Sequence, residues 1–171
     1  MVNYTQRKID WAFRAMGGRG LILEIAKVIS TISGDWVEFW DNRLDEFICL
    51  VDRSGKTRYV SFGIQNVLGY NPEEIIGTQA FRLMDEGTQQ TVFHHYEEFL
   101  ETKRSVEFQY RSWTKKGEPV TLHCKTFVVI SEGRSIGVIS IIQRAERAKQ
   151  YPQLFEAIST LLEQMIEGKP L

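Results

Sequence analysis

Few residues of this chain have the type and the spacing that chemistry requires. The two cysteines, Cys49 and Cys124, lie in separate apolar stretches, which favours buried thiols over a zinc site or a disulfide framework. The adjacent glutamates at 73–74 and 97–98 would point apart on a helix and could not share a proton. Catalysis needs a nucleophile with its base, or a metal, and the sequence spaces no such set. We therefore expect a protein that is not an enzyme and holds no metal.

One glycine-rich loop, at 17–20, stands before a predicted helix, where backbone N–H groups can bind phosphate. The loop, GGRG, has neither the lysine nor the hydroxyl of a nucleotide-binding loop. Glycine is also the residue expected where a helix ends. We therefore interpret the loop as punctuation between two helices.

The composition describes an ordinary globular protein. The chain has 171 residues, of which 43% are apolar and 25% charged, enough for one domain with appendages. Its 21 basic and 22 acidic residues nearly balance, so neither nucleic acid nor an anionic membrane is an expected partner. The N-terminus lacks a signal-peptide pattern, and no segment approaches the roughly 18 apolar residues of a membrane span. These features predict a cytosolic protein.

The elements that would position a site begin with a helical region over 1–43. Apolar residues at helical spacing predict a helix over 4–16 and a strongly amphipathic helix over 21–33. Asp35 and Glu38 resemble a capping box, and the helix that they would open carries Val37, Trp40 and Leu44 on one side. This region is rich in apolar surface that other segments would have to cover.

Beyond residue 44 the pattern changes to strands. The apolar run 47–51, the turn 52–56 and the segment 57–61 predict a hairpin. Alternating side chains at 106–112 and 120–126, with apolar residues at 128–130 and 136–142, predict three long antiparallel strands. Strands therefore flank a helical middle section.

The segment between the hairpin and that middle section, RYVSFGIQNVLGYNPEEIIG at 58–77, is punctuated at fixed points. Ser61 is a good N-cap for a helical turn, and Gly69 can take the left-handed backbone conformation at its end. Asn71 followed by Pro72 then opens another turn, with acids at its positive pole. The punctuation predicts a strand, a helical turn and a helix in close succession.

This segment resembles the first half of a PAS domain, a small sensory and protein-docking fold. The most specific matches are Gly69-Tyr70, Glu73-Glu74-Ile75, Gly77 and, between the long strands, Lys116-Gly117-Glu118. The resemblance covers 44–145 and implies an α+β fold, a five-stranded antiparallel sheet with short helices on one face. To this the chain adds an N-terminal helical extension over 1–43 and a C-terminal amphipathic helix over 146–171. The implied function is signal sensing and relay through regulated protein–protein contacts.

Two positions depart from the family pattern. Such domains often have Asn-x-Ala before the glycine-tyrosine pair, where this chain has Ser61 and Gly63, both compatible with the same capping and close packing. After the last strand the family often carries an Asp-x-Thr exit motif, whereas residues 143–147 read QRAER. The resemblance therefore leaves open how the signal leaves the domain.

Family members hold a flavin, a haem or another small molecule, or hold nothing. A flavin photoreceptor of the family needs a reactive cysteine after the glycine-tyrosine pair, and the segment 77–82 has none. The position of a haem histidine falls on Val92, while helical spacing puts His94 nearly opposite the interior and His95 at its edge. Surface histidines are thus favoured over haem ligands, and a haem-binding gas or redox sensor, which would need a one-turn slip to bring His95 inward, is the less favoured alternative. His123, between Leu122 and Cys124, is expected on the opposite sheet face.

The resemblance also implies where an organic ligand would lie. The bordering residues are Phe62, Phe81, Met84, Val92, Tyr96, Phe108, Tyr110, Leu122, Cys124 and Ser140. A packed core needs the same residue types, so a filled core without an obligatory ligand is the favoured interpretation, and a small organic ligand stays open. Ser112, Cys124 and Ser140 are the small or polar exceptions in the strand pattern, and they could leave room for a ligand or satisfy one another.

The predicted C-terminal helix over 150–167 carries an apolar stripe that needs a surface to pack on. On its inward face the middle helix similarly carries Val92, Phe93 and Tyr96. We expect a homodimer, with an interface formed by Leu21, Ile25, Val28, Ile32, Trp36, Trp40, Leu154, Ile158, Leu161 and Met165. The expected recipient of the signal is a downstream signalling protein or output domain. The alternative is a ligand-free dimerisation or scaffold module.

Overall fold

A five-stranded antiparallel sheet organises the chain in the computed structural model, which describes residues 36–167. The strands are β1 Glu46–Asp52, β2 Thr57–Val60, β3 Val106–Trp113, β4 Pro119–Ser131 and β5 Arg134–Arg144. Their order across the sheet is β2-β1-β5-β4-β3, so the last strand of the sequence lies at the centre. The predicted hairpin and three long strands are confirmed, and with them the predicted α+β class.

Helices cover both faces of this sheet. The helices are α1 Trp36–Asp41, α2 Gly63–Leu68, α3 Pro72–Ile75, a 3-10 turn at Ala80–Leu83, α4 Glu86–Thr102, α5 Ala145–Gln150 and α6 Pro152–Ile166. Helices α2, α3 and α4 pack on the face that we call inner, and α1 and α6 pack on the outer face. Short helices on one face were predicted, and α6 adds a second layer on the other.

The turn between α2 and α3 follows the predicted punctuation. Gly69 takes the left-handed conformation, with φ of 85°, and closes α2. The Asn71 N–H group donates to Glu74 Oε2 at 2.8 Å, and Pro72 is the first residue of α3. Local residue chemistry is therefore sufficient to place this part of the helical layer.

The predicted role of Ser61 as an N-cap is wrong. Helix α2 begins after Phe62, and the Ser61 hydroxyl instead accepts a hydrogen bond from the Ile48 N–H group at 2.8 Å, which joins the end of β2 to β1. Gly63 follows at a very close approach, since a Cβ there would lie 1.9 Å from the Glu46 carbonyl oxygen. Glycine is required where the family often has alanine, because no side chain fits against β1.

On the outer face, α6 and α1 bury the sheet within the protomer. Phe155, Ile158, Leu162 and Met165 of α6, with Trp40 of α1, are at most 8% exposed. The C-terminal segment is two helices rather than one, because α5 ends before Pro152, which starts α6. The buried stripe runs through Phe155, which the sequence analysis missed, while Leu154 is 40% exposed. The surface that this helix needs is therefore the chain's own sheet.

Other sequence expectations differ from the structure or lie outside it. Leu44 follows α1, which ends at Asp41, and is 57% exposed rather than part of a helix face. The predicted helices over 4–16 and 21–33 lie outside the described residues. Within 36–167, no helix has the length and apolar content to span a membrane.

Candidate functional site

A cavity of about 610 Å³ lies between the inner face of the sheet and the helices α3 and α4. Eight of the ten residues predicted to border a ligand line it, namely Phe81, Met84, Val92, Tyr96, Phe108, Tyr110, Cys124 and Ser140. The lining is mostly apolar, and its volume falls within the roughly 300–1,000 Å³ of small-molecule sites. The cavity differs from the filled core that the sequence favoured.

Two of the predicted border residues lie elsewhere. Phe62 is the half-buried residue before α2, and Leu122 is fully buried in the inner-face core beneath the cavity. The sequence analysis missed the contribution of β1, whose Phe47, Cys49 and Val51 line the cavity. All five residues at 47–51 are apolar, so alternation could not show which of them face inward.

Small polar side chains form the floor of the cavity. Cys49 of β1, Ser140 of β5 and Thr126 of β4 are partners in the sheet register and lie side by side. The Thr126 and Ser140 hydroxyl oxygens are 2.8 Å apart, and Cys124 Sγ lies 3.3 Å from Thr126 Oγ1. These groups satisfy one another, and their small volume leaves space above the floor.

The two thiols of the floor are protonated at neutral pH. Burial raises the pKa of Cys49 to about 12, although a hydrogen bond to Thr57 opposes the shift. Burial likewise raises the pKa of Cys124 to about 11, against the hydrogen bonds with Thr126 and Ser140. A neutral thiol is a weak nucleophile, so these cysteines are suited to packing and not to covalent chemistry.

Two tyrosines in the cavity wall differ in how their hydroxyl groups are used. The Tyr96 hydroxyl of α4 donates to the Asp52 carbonyl oxygen at 2.8 Å, which ties the helix to the end of β1. The Tyr110 hydroxyl of β3 has no hydrogen-bond partner among the described residues, although Tyr110 is only 6% exposed. Burial raises the pKa of both phenols well above its ordinary value, so both hydroxyl groups remain neutral at physiological pH.

The mouth of the cavity lies between the start of α4 and β3, where the lining residues Gly87, Thr91, His95 and Gln109 are exposed. Asp85 caps α4 there, accepting hydrogen bonds from the Thr88 N–H group at 3.0 Å and from the Arg111 N–H group at 3.3 Å. The hydrogen bonds from Thr88 hold the pKa of this carboxyl group below its ordinary value. The mouth therefore carries a fixed negative charge.

The histidines lie where the sequence placed them. His94 and His95 are exposed on α4, and His95 reaches the rim of the cavity with Nδ1 3.4 Å from Glu98 Oε2. His123 is on the outer face, where its ring packs edge-on against Phe155 at 4.7 Å. Within 36–167, no group of three or more histidines, cysteines or acids is placed to hold a metal ion.

One residue of α4 contradicts its prediction. Phe93 was expected on the inward face and is 74% exposed. It lies about 100° around the helix from Val92, and the buried side centres on Val92, Tyr96 and Phe99, so Phe93 falls outside it. The exposed phenylalanine thus lies beside the cavity mouth and contributes nothing to the lining.

The residues predicted for a dimer interface are divided by the structure. Trp40, Ile158 and Met165 are buried within the protomer, and Leu161 is half-buried. Leu154 is the exposed member of the set on α6. Leu21, Ile25, Val28, Ile32 and the side chain of Trp36 lie outside the described part of the chain.

Comparison with known proteins agrees with this architecture. A family model described as the PAS fold matches residues 34–145. A PAS domain from Colwellia psychrerythraea superposes with a TM-score of 0.57 at 18% identity, over 63% of this chain and 91% of that chain. The N-terminal domain of a diguanylate cyclase with a PAS/PAC sensor from Marinobacter aquaeolei gives 0.51 at 17% identity, over 58% and 94%. No curated protein matches the sequence. At these identities the structural matches show the fold alone.

Proposed function

The chain belongs to the PAS family, whose members are sensory modules, and from this premise we propose that it senses a small organic molecule bound in its cavity. The observation that carries the proposal is the cavity of about 610 Å³ between α4 and the sheet. A closely packed interior rarely contains voids much larger than a water molecule, so a space of this size needs a reason. In a sensory fold, the simplest explanation for this volume is a bound molecule that the protein detects.

The sheet offers a direct path from the cavity to the C-terminal helices. Along β5, Ser140 and Ile142 line the cavity. The alternating residues Ile139 and Ile141 face the other way and belong to the outer core under α6. A ligand that displaces the inner side of β5 therefore also moves the residues on which α6 packs. At the end of the same strand, Arg144 donates to the Val67 carbonyl oxygen of α2 at 2.9 Å. The proposed signal leaves through β5, α5 and α6.

The proposed output is a change in protein–protein contact. Leu154 and Leu161 leave apolar surface on α6, and the amphipathic pattern over 21–33 supplies a second apolar stripe. We propose that these surfaces form a homodimer, whose geometry changes when the outer face shifts and is read by a downstream signalling protein or output domain. In the similar Marinobacter protein the PAS domain is the N-terminal domain of a diguanylate cyclase, which illustrates such an arrangement.

Native mass spectrometry of the full chain tests the proposal, because one spectrum reports both the subunit count and any bound mass. We expect a dimer with a discrete additional mass that disappears in Ser140→Leu, which places a larger side chain on the cavity floor. Thr121→Leu, at an exposed position of β4, is the matched control and should keep the additional mass. Circular dichroism confirms that both variants are folded.

Two outcomes contradict the proposal. An additional mass that Ser140→Leu retains would show that the molecule binds outside the cavity. A dimer that carries no additional mass, and whose melting temperature no small molecule raises, would favour the alternative of a ligand-free dimerisation module.

A further inference from the structure

The charged groups around the cavity restrict what can enter it. Among the described residues that line the cavity, none is a lysine or an arginine. The imidazole of the lining, His95, lies at the rim beside Glu98, so an anionic ligand group in the interior would find no counter-charge. Burial of an unpaired charge is strongly unfavourable. The Asp85 carboxylate at the mouth adds repulsion, since its hydrogen bonds from Thr88 keep it ionised. Carboxylates and phosphates are thus disfavoured both at the rim and inside.

A cation is equally disfavoured in the interior of the cavity. The ionisable groups on the floor and inner wall are thiols and phenols, and burial raises the pKa of each, so they stay neutral. The carboxylate at the mouth, Asp85, already accepts hydrogen bonds from Thr88 and Arg111. The buried part of any ligand therefore has to be uncharged.

The hydroxyl groups differ in their availability to a ligand. Thr126, Ser140 and Cys124 contact one another on the floor, and the Tyr96 hydroxyl donates to a backbone carbonyl. Tyr110 is the exception. The residue is only 6% exposed, and its hydroxyl has no hydrogen-bond partner among the described residues. The hydroxyl oxygen of Tyr110 is not fully buried, so it is open to the cavity and can donate to a molecule there.

Tyr110 lies on the edge strand β3 and lines the cavity on the inner face of the sheet. Its ring centroid is 5.8 Å from that of Phe108, another lining residue. The Tyr110 O–H group is therefore available as a donor to a molecule in the cavity.

We propose that the cavity selects an uncharged, largely apolar molecule with one hydrogen-bond acceptor, such as a ketone or ester carbonyl, which receives the hydrogen bond of the Tyr110 hydroxyl. This inference rests on the proposed function and specifies the ligand class of the same site. It makes Tyr110 the residue that determines specificity, whereas Tyr96 serves to hold α4 against the sheet.

Three probes of nearly equal shape test the selection. They are 2-acetylnaphthalene, which is neutral with a carbonyl acceptor, 2-naphthoate, which is anionic, and 2-ethylnaphthalene, which has neither feature. Their dissociation constants are measured by isothermal titration calorimetry at neutral pH with the full chain, after charcoal extraction of any co-purified molecule. We expect the ketone to bind at least about tenfold more tightly than the carboxylate, which would have to bury an unpaired charge.

Tyr110→Phe separates the hydrogen bond from the shape of the cavity. It should weaken binding of the ketone by about tenfold, the effect of one lost hydrogen bond, and leave 2-ethylnaphthalene within about twofold. The matched control is Tyr151→Phe, the same substitution at an exposed residue outside the cavity, which should leave binding of both probes unchanged. In the wild-type protein, the infrared carbonyl stretch of the bound ketone should lie below its value in an apolar solvent.

The outcomes distinguish this inference from the proposed function. If the probes bind but the carboxylate binds as well as the ketone, or if Tyr110→Phe weakens the ketone and the hydrocarbon equally, the ligand class is wrong and the cavity still binds small molecules. A carbonyl stretch at its apolar-solvent value contradicts the hydrogen bond without need of a variant. If none of the probes binds to the wild-type chain, the ligand class is wrong, whereas the proposed function is decided separately by the native mass spectrum.

Discussion

The two faces of the sheet are built from neighbouring residues of the same strands, and yet one face is filled and the other encloses a cavity. The outer row across β1, β5 and β4 consists of Leu50, Ile139 and Phe127. One residue along each strand, the inner row consists of Cys49, Ser140 and Thr126. The backbone register is common to both rows, so the difference between the faces lies in side-chain volume.

This difference assigns separate tasks to the two faces. On the outer face, large side chains interdigitate with α6 and remove apolar surface from water, which is the main stabilising contribution to folding. On the inner face, small hydroxyl and thiol groups satisfy one another and leave space that close packing would otherwise fill. We infer that the outer face supplies the stability that allows the inner face to remain open.

The sharpest test compares alanine at two adjacent isoleucines of β5. Ile141 is fully buried in the outer core, and Ile142 lines the cavity. Ile141→Ala should lower the free energy of unfolding by about 4 kcal/mol, because it leaves a void among close-packed neighbours. Ile142→Ala should lower it by about 2 kcal/mol, because that side chain already has partner atoms on fewer sides.

Urea unfolding followed by circular dichroism measures both losses, and each variant is the control for the other since the substitution is identical. The slope of the unfolding free energy with urea must be unchanged for the comparison to hold. Equal losses at 141 and 142 would contradict the division between a filled and an open face.

The same division explains what the sequence could and could not predict. In β3 and β4 polar and apolar residues alternate, so the inward positions of Phe108, Tyr110 and Cys124 followed from the strand period. In β1 the residues 47–51 are all apolar because both faces are covered, and the inward position of Cys49 was therefore hidden.

The cavity itself could not follow from the sequence, because periodicity reports which residues are buried and not how much space they leave. The strand pattern does mark Cys124 and Ser140 as small inner-face residues. That they lie beside Cys49 and Thr126 depends on the order of the strands in the sheet. The outer layer was incompletely predicted for a similar reason, since the stripe of α6 could fit a partner as well as the chain's own sheet. Tertiary contacts decide both points.

The thiols of Cys49 and Cys124 report how tightly the inner face is closed. Because burial raises the pKa of Cys124 from 9.0 to about 11, its thiolate fraction at pH 8 should be roughly a hundredth of that of an exposed cysteine. Reaction with 4,4′-dithiodipyridine at pH 8 should therefore be at least about a hundredfold slower in the folded protein than in urea. Since only the thiolate reacts, the rate in the folded protein should keep rising above pH 9, where an exposed thiol approaches its plateau.

Absorbance at the released thiopyridone gives both rates, and Cys49→Ser and Cys124→Ser assign them to the individual thiols. Reaction of the folded protein at the rate found in urea would mean that the inner face opens freely to reagents. That result would place the difference between the faces in their dynamics rather than in their volume.

The smallest expected effect comes from enlarging the same two isoleucines. Ile141→Phe should lower the free energy of unfolding by about 1–3 kcal/mol, because the outer core has no space for a larger ring. Ile142→Phe should cost less than about 1 kcal/mol, since its ring can occupy part of the cavity and gain contacts there. Urea unfolding again measures the pair. If both variants lose the same stability, the inner face is as closely packed as the outer one; if only Ile141→Phe loses it, the open volume belongs to the inner face and is available to a ligand.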